Sequence, residues 1–190
     1  MNAPAKEPQV KGTAIRGTLR AIERLCPPGT LRKMIPLLPG QIAPAVEHDA
    51  FIAAGWYPLA HVRAIFGAAM TATGRDLELV REISRESTRD DFRGIYRLLA
   101  AVISPEFIMR RGPGIFSRYY DTGTLEVTAR AGYCEGHYRG CVGFDRVLWA
   151  DLLAGSATIL EVCGARELKF EITRGGGDGD VDCDVVGEWR

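Results

Sequence analysis

The spacing of apolar residues changes along the chain near Thr124. Before that point, Ile15, Leu19 and Ile22 recur at helical intervals with charged residues between them. After it, Leu125 and Val127 alternate with polar neighbours, as in a strand that is buried on one face. The pattern therefore predicts a helical first part followed by a sheet.

Proline and glycine mark the ends of the predicted helices. Pro27-Pro28 ends the first helix, Pro39-Gly40 ends a short second one, and Pro58 fits the first turn of a later helix. A charged stretch, SRESTRDD, is interpreted as a junction between two further helices. The predicted helices span 13–25, 30–35, 42–54, 58–74, 76–87 and 90–103.

The segment Ser104–Val127 connects the helical part to the sheet. Ser104 is a helix cap followed by proline, and Gly112-Pro113-Gly114 interrupts that helix. Asp121-Thr122-Gly123 then predicts a turn into the first strand. Because neighbouring residues that leave a helix cannot both face one core, we expect either Tyr119 or Tyr120 to be buried and the other to face a pocket or solvent.

Strands and one long helix are predicted after the connecting segment. The strands cover 124–128, 137–142 after a turn at 132–136, 168–172 and 181–189, and Asp145 caps a helix that Gly164 closes. Helices segregated from a mostly antiparallel sheet are typical of an α+β domain. We predict a helical N-terminal half packed on a four-stranded sheet, with a long crossover helix between strands 2 and 3.

Composition limits the class of protein. The 190 residues and 46% hydrophobic content predict one folded domain at 10–190 behind a flexible leader at 1–9. Equal numbers of basic and acidic residues, 24 of each, disfavour nucleic acid as a partner. Without an apolar run long enough for a membrane span or a secretory signal, we expect a cytoplasmic protein, and its five dispersed cysteines fit reduced thiols.

Several short motifs in a fixed order resemble a family of uncharacterised paralogous proteins of this length from myxobacteria. They are Gly55-Trp56-Tyr57-Pro58-Leu59, Gly94-Ile95-Tyr96-Arg97, Ser104-Pro105-Glu106-Phe107 with Arg110-Arg111, and Tyr119-Tyr120-Asp121-Thr122-Gly123. The resemblance covers 10–189. It implies a shared fold and no assigned activity.

The predicted order of elements is similar to the ligand-binding fold of haem nitric-oxide/oxygen-binding domains, vinyl-reductase-type sensor domains and TRAPP vesicle-tethering subunits. In the haem-binding relatives, the proximal histidine lies on a helix just before the sheet and is followed by a tyrosine-serine-arginine motif. Here the corresponding region, 98–118, has no histidine, and Arg118-Tyr119-Tyr120-Asp121 does not reproduce the motif. We therefore predict no cofactor and a haem-free protein; His61, on the helix after Pro58, is the alternative ligand to test.

The sequence spacing of the candidate metal ligands disfavours zinc and calcium sites. Four cysteines of the sheet half contain no CxxC pair, and a buried free cysteine behaves as a small hydrophobe. A calcium loop starting at Asp178 would need glycine at Cys183 and glutamate at Trp189. The cysteines considered for zinc are Cys134, Cys141, Cys163 and Cys183.

Two clusters of reactive or charged residues remain. Cys134, in the predicted turn beside His137, is the candidate reactive thiol, and the pair is the candidate for cysteine-dependent catalysis. A second cluster, flanked by aromatic residues, is a candidate surface for an acidic partner or phosphate, unless Glu106 and Asp121 neutralise it. It comprises Arg110, Arg111 and Arg118.

We predict a non-enzymatic sensory domain that binds a small, largely apolar ligand. Aromatic side chains are the expected walls of its pocket, and ordinary core packing is the competing interpretation. The alternatives are a scaffold that binds a protein partner or a second copy, as the vesicle-tethering relatives do, and a cysteine-dependent enzyme. The candidate ligand-binding residues are Trp56, Tyr57, Phe66, Tyr96, Phe107, Tyr119 and Trp149.

Overall fold

The computed structural model describes residues 6–92 and 103–190. In chain order, the helical part comprises β1 (Gln9–Lys11), α1 (Gly12–Leu25), α2 (Thr30–Met34), a 3-10 turn (Ile35–Leu37), α3 (Ala43–Glu47), β2 (Trp56–Pro58), α4 (Leu59–Thr73) and α5 (Leu77–Asp91). The connecting helices are α6 (Pro105–Arg110) and α7 (Gly112–Tyr119). The sheet part comprises β3 (Thr124–Arg130), β4 (Tyr133–Arg139), α8 (Arg146–Val162), β5 (Lys169–Gly175) and β6 (Cys183–Glu188).

The predicted α+β fold is confirmed. The strands β3, β4, β6 and β5 lie in that order in one sheet, and every neighbouring pair is antiparallel. Helix α8 connects β4 to β5, so it is the predicted crossover between the second and third strands. Asp145 caps it by accepting hydrogen bonds from the backbone N–H groups of Val147 and Leu148, at 3.1 and 3.0 Å.

One face of the sheet is buried and the other carries charged side chains. Along β4, Cys134 and Tyr138 are buried, whereas Glu135 and His137 lie on the opposite, partly exposed face. Helices α6, α7 and α8 contribute Met109, Phe116, Leu160 and other apolar side chains to the core over the buried face. The period of about two residues that predicted the strands thus corresponds to a sheet covered on one side.

Helix α5 packs most extensively against α8. The side chain of Ser84 donates a hydrogen bond to the backbone oxygen of Asp151 at 2.6 Å, and Arg89 lies 3.5 Å from Glu161. The second contact lies nearer the C-terminus than the first on both helices, so α5 and α8 run in the same direction. Gly155 allows the close approach, since a Cβ there would lie 3.2 Å from Thr88 Oγ1.

The predicted junction at SRESTRDD is wrong, because α5 continues to Asp91. Serine and threonine have modest helix propensity, but their small side chains fit where neighbouring helices come close. Ser84 and Thr88 face Gly155 of α8, and Ser87 faces Gly17 of α1. The helix predicted at 90–103 falls largely on residues outside the described part.

A short two-stranded sheet, formed by β1 before α1 and β2 before α4, was not predicted. Val10 of β1 pairs with Tyr57 of β2, and Val10 also forms an isolated bridge with Tyr120. Leu59 donates its backbone N–H to Pro8 at 2.9 Å. Defined contacts therefore begin before residue 10, and the proposed division into a leader at 1–9 and a domain at 10–190 stays a prediction.

The second strand of the main sheet begins earlier than predicted. Arg130 pairs with Tyr133, so the hairpin loop contains only Ala131 and Gly132, and Gly132 has a positive φ of 72°. The predicted turn at 132–136 is wrong, and residues 141–142 lie beyond the strand. Because the strand begins earlier, Cys134 lies on the buried face of β4 and not in an exposed turn.

Candidate functional site

Five aromatic rings form a closed loop in the core between α7, β4 and α8. Their centroids lie 4.7 to 5.6 Å apart, a separation typical of interacting aromatic pairs. Tyr138 is the member that lies on the sheet, and Trp149 is the member that lies on α8. We call it the aromatic cluster, in contact order Phe116, Tyr120, Phe144, Trp149 and Tyr138.

Two phenol groups are buried within this apolar environment. Burial raises the pKa of Tyr120 well above its usual value, and the nearby Asp151 carboxylate raises it further. Burial likewise raises the pKa of Tyr138, and the nearby Ser156 hydroxyl opposes that shift. Both phenols therefore stay protonated at neutral pH and serve as neutral hydrogen-bonding groups.

Tyr119 points to a different carboxylate. Its side chain is only partly buried, and its hydroxyl interacts with the Asp91 carboxylate at the end of α5. Burial, and after it the Asp91 charge, raises the pKa of Tyr119. The prediction that the two tyrosines have different environments is confirmed, with Tyr120 buried at 8% exposure.

These contacts define a polar group at the junction of α5, α7 and α8. We call it the tyrosine-aspartate site. Helix α5 supplies the Asp91 carboxylate at its end, and α8 supplies Asp151 one turn before Gly155. The end of α7 supplies Tyr119 and, just after it, Tyr120 of the aromatic cluster. Its members are Ser84, Asp91, Tyr119, Tyr120 and Asp151.

Asp151 has an unusual electrostatic environment within this site. Burial raises the pKa of its carboxyl group to about 6, and the nearby Ser84 hydroxyl, which donates to the Asp151 backbone oxygen, opposes that shift. Over residues 6–92 and 103–190, no lysine, arginine or histidine forms an ion pair with it. By contrast, Asp184 on the outer sheet face contacts Arg139, Arg174 and His137.

Replacing Asp151 with asparagine is expected to stabilise the protein at pH 8 by roughly 1 to 2 kcal/mol, since Asp151 remains partly accessible and part of its shift is screened. A carboxyl group whose folded pKa is raised contributes its stability below the unfolded pKa, near 4, and loses it as pH rises through about 6. The difference between variant and wild type should therefore vanish below pH 4. Urea unfolding at several pH values measures it, and a variant less stable at pH 8 would contradict this assignment.

The candidate ligand-binding residues do not line one pocket. Phe66 and Trp149 are fully buried core residues, and the Trp149 indole N–H donates to the Asp180 carbonyl at 3.3 Å. Trp56 and Phe107 are 38% and 48% exposed at separate places. The expectation of a shared pocket is thus wrong for these four.

The other three candidate ligand residues differ from one another. The ring of Tyr57 packs on Phe51 with centroids 5.0 Å apart, and its hydroxyl accepts a hydrogen bond from the backbone N–H of Ile52. Tyr96 lies outside the described residues. Tyr119 is the candidate that remains at a partly open polar position, so its ligand-binding role stays a prediction.

The arginine cluster is divided between two environments. Arg110 donates to the Ala129 carbonyl through Nε and Nη2, at 3.3 and 3.0 Å, and so joins α6 to β3. The Arg111 guanidinium lies 5.3 Å from the Phe107 ring centre, and Arg118 is exposed at the end of α7. Binding of an anion or acidic partner by Arg111 and Arg118 stays a prediction.

The basis for a reactive Cys134 is wrong. Cys134 lies on β4, is fully buried, and has a pKa raised by burial to about 11. His137 lies on the opposite face of the same strand, where its Nδ1 is 2.9 Å from Asp184. The strand geometry therefore separates the proposed catalytic pair.

Thiol labelling should start at cysteines other than Cys134. Cys26 and Cys163 keep 8% and 6% exposure, whereas Cys134, Cys141 and Cys183 have none. A pKa of about 11 leaves roughly a hundredfold less thiolate than an ordinary cysteine has, so labelling of Cys134 at neutral pH should be slow. Peptide mapping after timed alkylation is expected to find Cys26 and Cys163 modified first. Early modification of Cys134 would contradict the observed strand register.

A shallow groove of about 590 Å³ lies between α1, α2 and α3. Leu19 and Val46 are part of its apolar lining, and its rim carries charges of both signs, including Arg16 and Asp49, which pair at 3.5 Å. Among the described residues, no cluster of histidine, cysteine and carboxylate side chains fits a metal ion. The groove therefore offers an open surface with partly paired charges.

Sequence reasoning identified Tyr119 but missed Ser84, Asp91 and Asp151. The missing signal was Asp151 itself, a lone acid in the otherwise apolar run VLWADLLAG of a predicted core helix. An ionisable group on a core face is rarely buried without a partner. The position of Asp151 in an otherwise apolar helix could therefore have indicated the site.

Comparison with known proteins gives the fold. No protein-family model matches the chain, and no curated protein matches it either. Solved structures of H-NOX proteins do match. An Fe(II) unliganded H-NOX mutant from K. algicida shares 12% identity over 95% of this chain and 96% of its own, with a TM-score of 0.69.

An oxygen-binding H-NOX domain related to soluble guanylate cyclases shares 14% identity over 95% of each chain, with a TM-score of 0.57. No helix among the described residues is both long and apolar enough to cross a membrane. The resemblance to the myxobacterial family stays a prediction. At these identities the likeness is one of architecture, and the chain has the H-NOX fold.

Proposed function

We propose that this protein is a non-enzymatic sensory domain that binds a small, largely apolar molecule and couples its binding to signalling. The observation that carries this proposal is Asp151, which is surrounded enough for its pKa to rise to about 6 and yet keeps partial accessibility. The aromatic cluster beside it supplies apolar surface, as ligand sites commonly do.

The H-NOX fold supports a sensor more than an enzyme. One structural neighbour is described as an oxygen-binding domain, and another as a protein that distorts a haem porphyrin. One fold hosts many functions, so the ligand has to be argued from the residues of this chain. The tyrosine-aspartate site occupies the junction between the helical part and the helices over the sheet, where a ligand contacts both.

Haem does not fit the residues present. The chain has three histidines, and none lies between residues 62 and 136, which includes both helices before the sheet. His48 is exposed after α3, and His137 is on the outer sheet face. His61 lies on α4, and its buried Nδ1 has no hydrogen-bond partner among the described residues. Burial lowers the pKa of the ring, which packs near Phe51 and Tyr57, away from the helices before the sheet. We therefore propose a ligand other than histidine-bound haem.

Mass spectrometry of gently purified protein tests the proposal. Native spectra should show an added mass that denaturing spectra lack, and the absorption spectrum should show no Soret band. Tyr119→Ala should lower the occupied fraction, whereas Phe107→Ala, at an exposed position on α6, should not. An empty protein that also takes up none of a panel of small apolar compounds would contradict the proposal.

A protein-binding scaffold is the second candidate. The groove between α1, α2 and α3 favours it, because an open surface with an apolar floor and charged rim suits a polypeptide better than a small molecule. In that case the purified protein would be empty, and charge reversal at Arg32 on the groove rim would weaken binding of the partner. The tyrosine-aspartate site would then serve packing alone.

A further inference from the structure

Helices α6 and α7 follow each other almost without a break. Arg111 lies between them with helical backbone angles. Its N–H donates to the carbonyl oxygen of Ile108, and its own carbonyl oxygen accepts from the N–H of Ile115, both at 3.0 Å. Side chains at helical spacing therefore share one side of both helices. From residue 107 to residue 118, such a side is about 16 Å long.

The inner side of these two helices packs on the sheet. Met109 and Phe116 are buried, and a Cβ at Gly112 would lie 3.4 Å from side-chain atoms of Leu125 and Val127. Since successive residues of a helix are rotated by about 100°, positions two residues away point to the opposite side. That outer side is exposed, and we call it the arginine stripe: Phe107, Arg111, Gly114 and Arg118.

The arginine stripe is a local positive surface on a chain without net charge. Asp121, which could neutralise it by sequence position, is paired with Lys6 at 2.7 Å. Among the described residues, Arg111 and Arg118 form no ion pair, with Glu106 or with any other carboxylate. The described part of the chain also holds all of its aspartates and glutamates. The two guanidinium groups are therefore available to an external anion.

An aromatic ring holds one of these guanidinium groups in place. Arg111 lies 5.3 Å from the ring centre of Phe107, which is itself exposed. Stacking on a ring leaves the N–H donors at the edge of the guanidinium free for bidentate contact with a carboxylate. Between the two arginines, Gly114 leaves the surface open, since a Cβ there would meet no atom within 4 Å.

We propose that the arginine stripe binds an acidic segment of a protein partner, with carboxylates at Arg111 and Arg118 and an apolar side chain against Phe107. Arginine and aromatic residues are the types that contribute most at protein interfaces. A membrane or a nucleic acid favours a larger basic surface, of about four to eight residues. Here the neighbouring Arg110 is bound to the Ala129 carbonyl. The inference goes beyond the proposed ligand and names the kind of partner that receives the signal.

Two fluorescent peptides test the role of charge. One repeats the sequence Glu-Leu-Glu, and the other has glutamine in place of each glutamate. Binding to the full chain is measured by fluorescence anisotropy at about 50 and about 200 mM salt. At the lower salt concentration the acidic peptide should bind at least about tenfold more tightly than the glutamine peptide. This preference should shrink at the higher concentration, because exposed charges are screened.

Charge reversal tests the place of binding. Arg118→Glu should weaken binding of the acidic peptide at least about tenfold, because like charges then face each other. Arg32→Glu, at an exposed position on the rim of the groove between α1, α2 and α3, is the matched control and should change the affinity by no more than about twofold. Phe107→Ala removes the apolar contact and should lower the affinity without changing its salt dependence. Circular dichroism and thermal melting establish that the variants are folded.

The possible results separate this inference from the proposed function. Equal affinity for the two peptides, or unchanged affinity in Arg118→Glu, would overturn it. Loss of affinity in Arg32→Glu instead would move the acidic segment to the groove and also overturn it. Binding to vesicles of phosphatidylserine and phosphatidylcholine that Arg118→Glu abolishes, without preference for the acidic peptide, would assign the stripe to a membrane in place of a protein. Whether a small molecule co-purifies is measured independently, so either proposal can fail alone.

Discussion

Tyr120→Ala is expected to lower the free energy of unfolding by about 3 to 5 kcal/mol, the usual cost of removing a buried aromatic side chain. Its ring centroid lies 5.1 Å from Phe116 and 5.3 Å from Phe144, so truncation opens the aromatic cluster. The residue also bridges to Val10 of β1. Since domains are stable by only about 5 to 15 kcal/mol, thermal and urea unfolding should both show a large shift.

Tyr119→Ala is the matched control for this measurement. Its side chain is half-buried and interacts mainly with the Asp91 carboxylate, so its truncation should cost only about 1 kcal/mol. The two variants differ by one position and remove the same atoms. Small and equal losses of stability would show that this stretch does not anchor the helical part to the sheet.

Gly12→Ala is expected to destabilise the protein by about 3 kcal/mol, the upper part of the range for overpacking. A Cβ at this position would overlap the backbone carbonyl oxygen of Ile52 and lie 2.8 Å from the Tyr57 ring. The backbone cannot easily withdraw, because Gly12 and Thr13 donate hydrogen bonds to Gly55 and Ala53 at 2.9 and 3.0 Å. Urea unfolding of the purified variant measures the loss.

Gly67→Ala serves as the control for the effect of a methyl group in a helix. Gly67 lies inside α4, and a Cβ there would meet no atom within 4 Å. Replacement should therefore stabilise the protein by about 0.5 to 1 kcal/mol, through reduced backbone entropy of the unfolded chain. Similar changes at both glycines would contradict the close contact between α1 and the segment before β2.

Local signals were read correctly from the sequence. Ser104 accepts a hydrogen bond from the Phe107 N–H as a cap, and Gly74 ends α4 in the left-handed conformation. Asp145 caps α8 as predicted. Each of these depends on residues within one helical turn, which is why the residue types alone were sufficient.

Errors arose where distant residues decide the structure. Ser84 and Thr88 continue a helix because glycine on α8 lets them pack, and no local pattern reveals that partner. β1 is three residues long and depends on pairing with β2 far along the chain. The glycine and glutamate beside Cys134 favour a turn, yet pairing with β3 and β6 makes it a central-strand residue.

Some features of the candidate site follow from local sequence signals, and others depend on contacts between distant residues. The pair Tyr119 and Tyr120 was recognisable because a helix end and a turn fix opposite directions for adjacent side chains. The partnership of Tyr120 with Asp151 was not, because it depends on how α7 and α8 lie over the sheet. Aromatic residues such as Phe66 and Trp149 were predicted as ligand contacts and are core, since composition does not distinguish a pocket wall from packing.

The strand β1 has a consequence for the order of folding. The backbone N–H of Gln9 bonds to Asp121 Oδ1 at 2.6 Å, and these residues are separated by 112 positions. During synthesis β1 leaves the ribosome long before Asp121. Helix α1 and strand β2 can therefore pack against β1 before the hydrogen bond between Gln9 and Asp121 can form. Closing such a long loop is slow compared with helix formation. Attachment of β1 beside Tyr120 is therefore expected among the last steps, and in a nascent chain halted before residue 121 the pair of β1 and β2 should be cleaved by protease faster than in the complete domain.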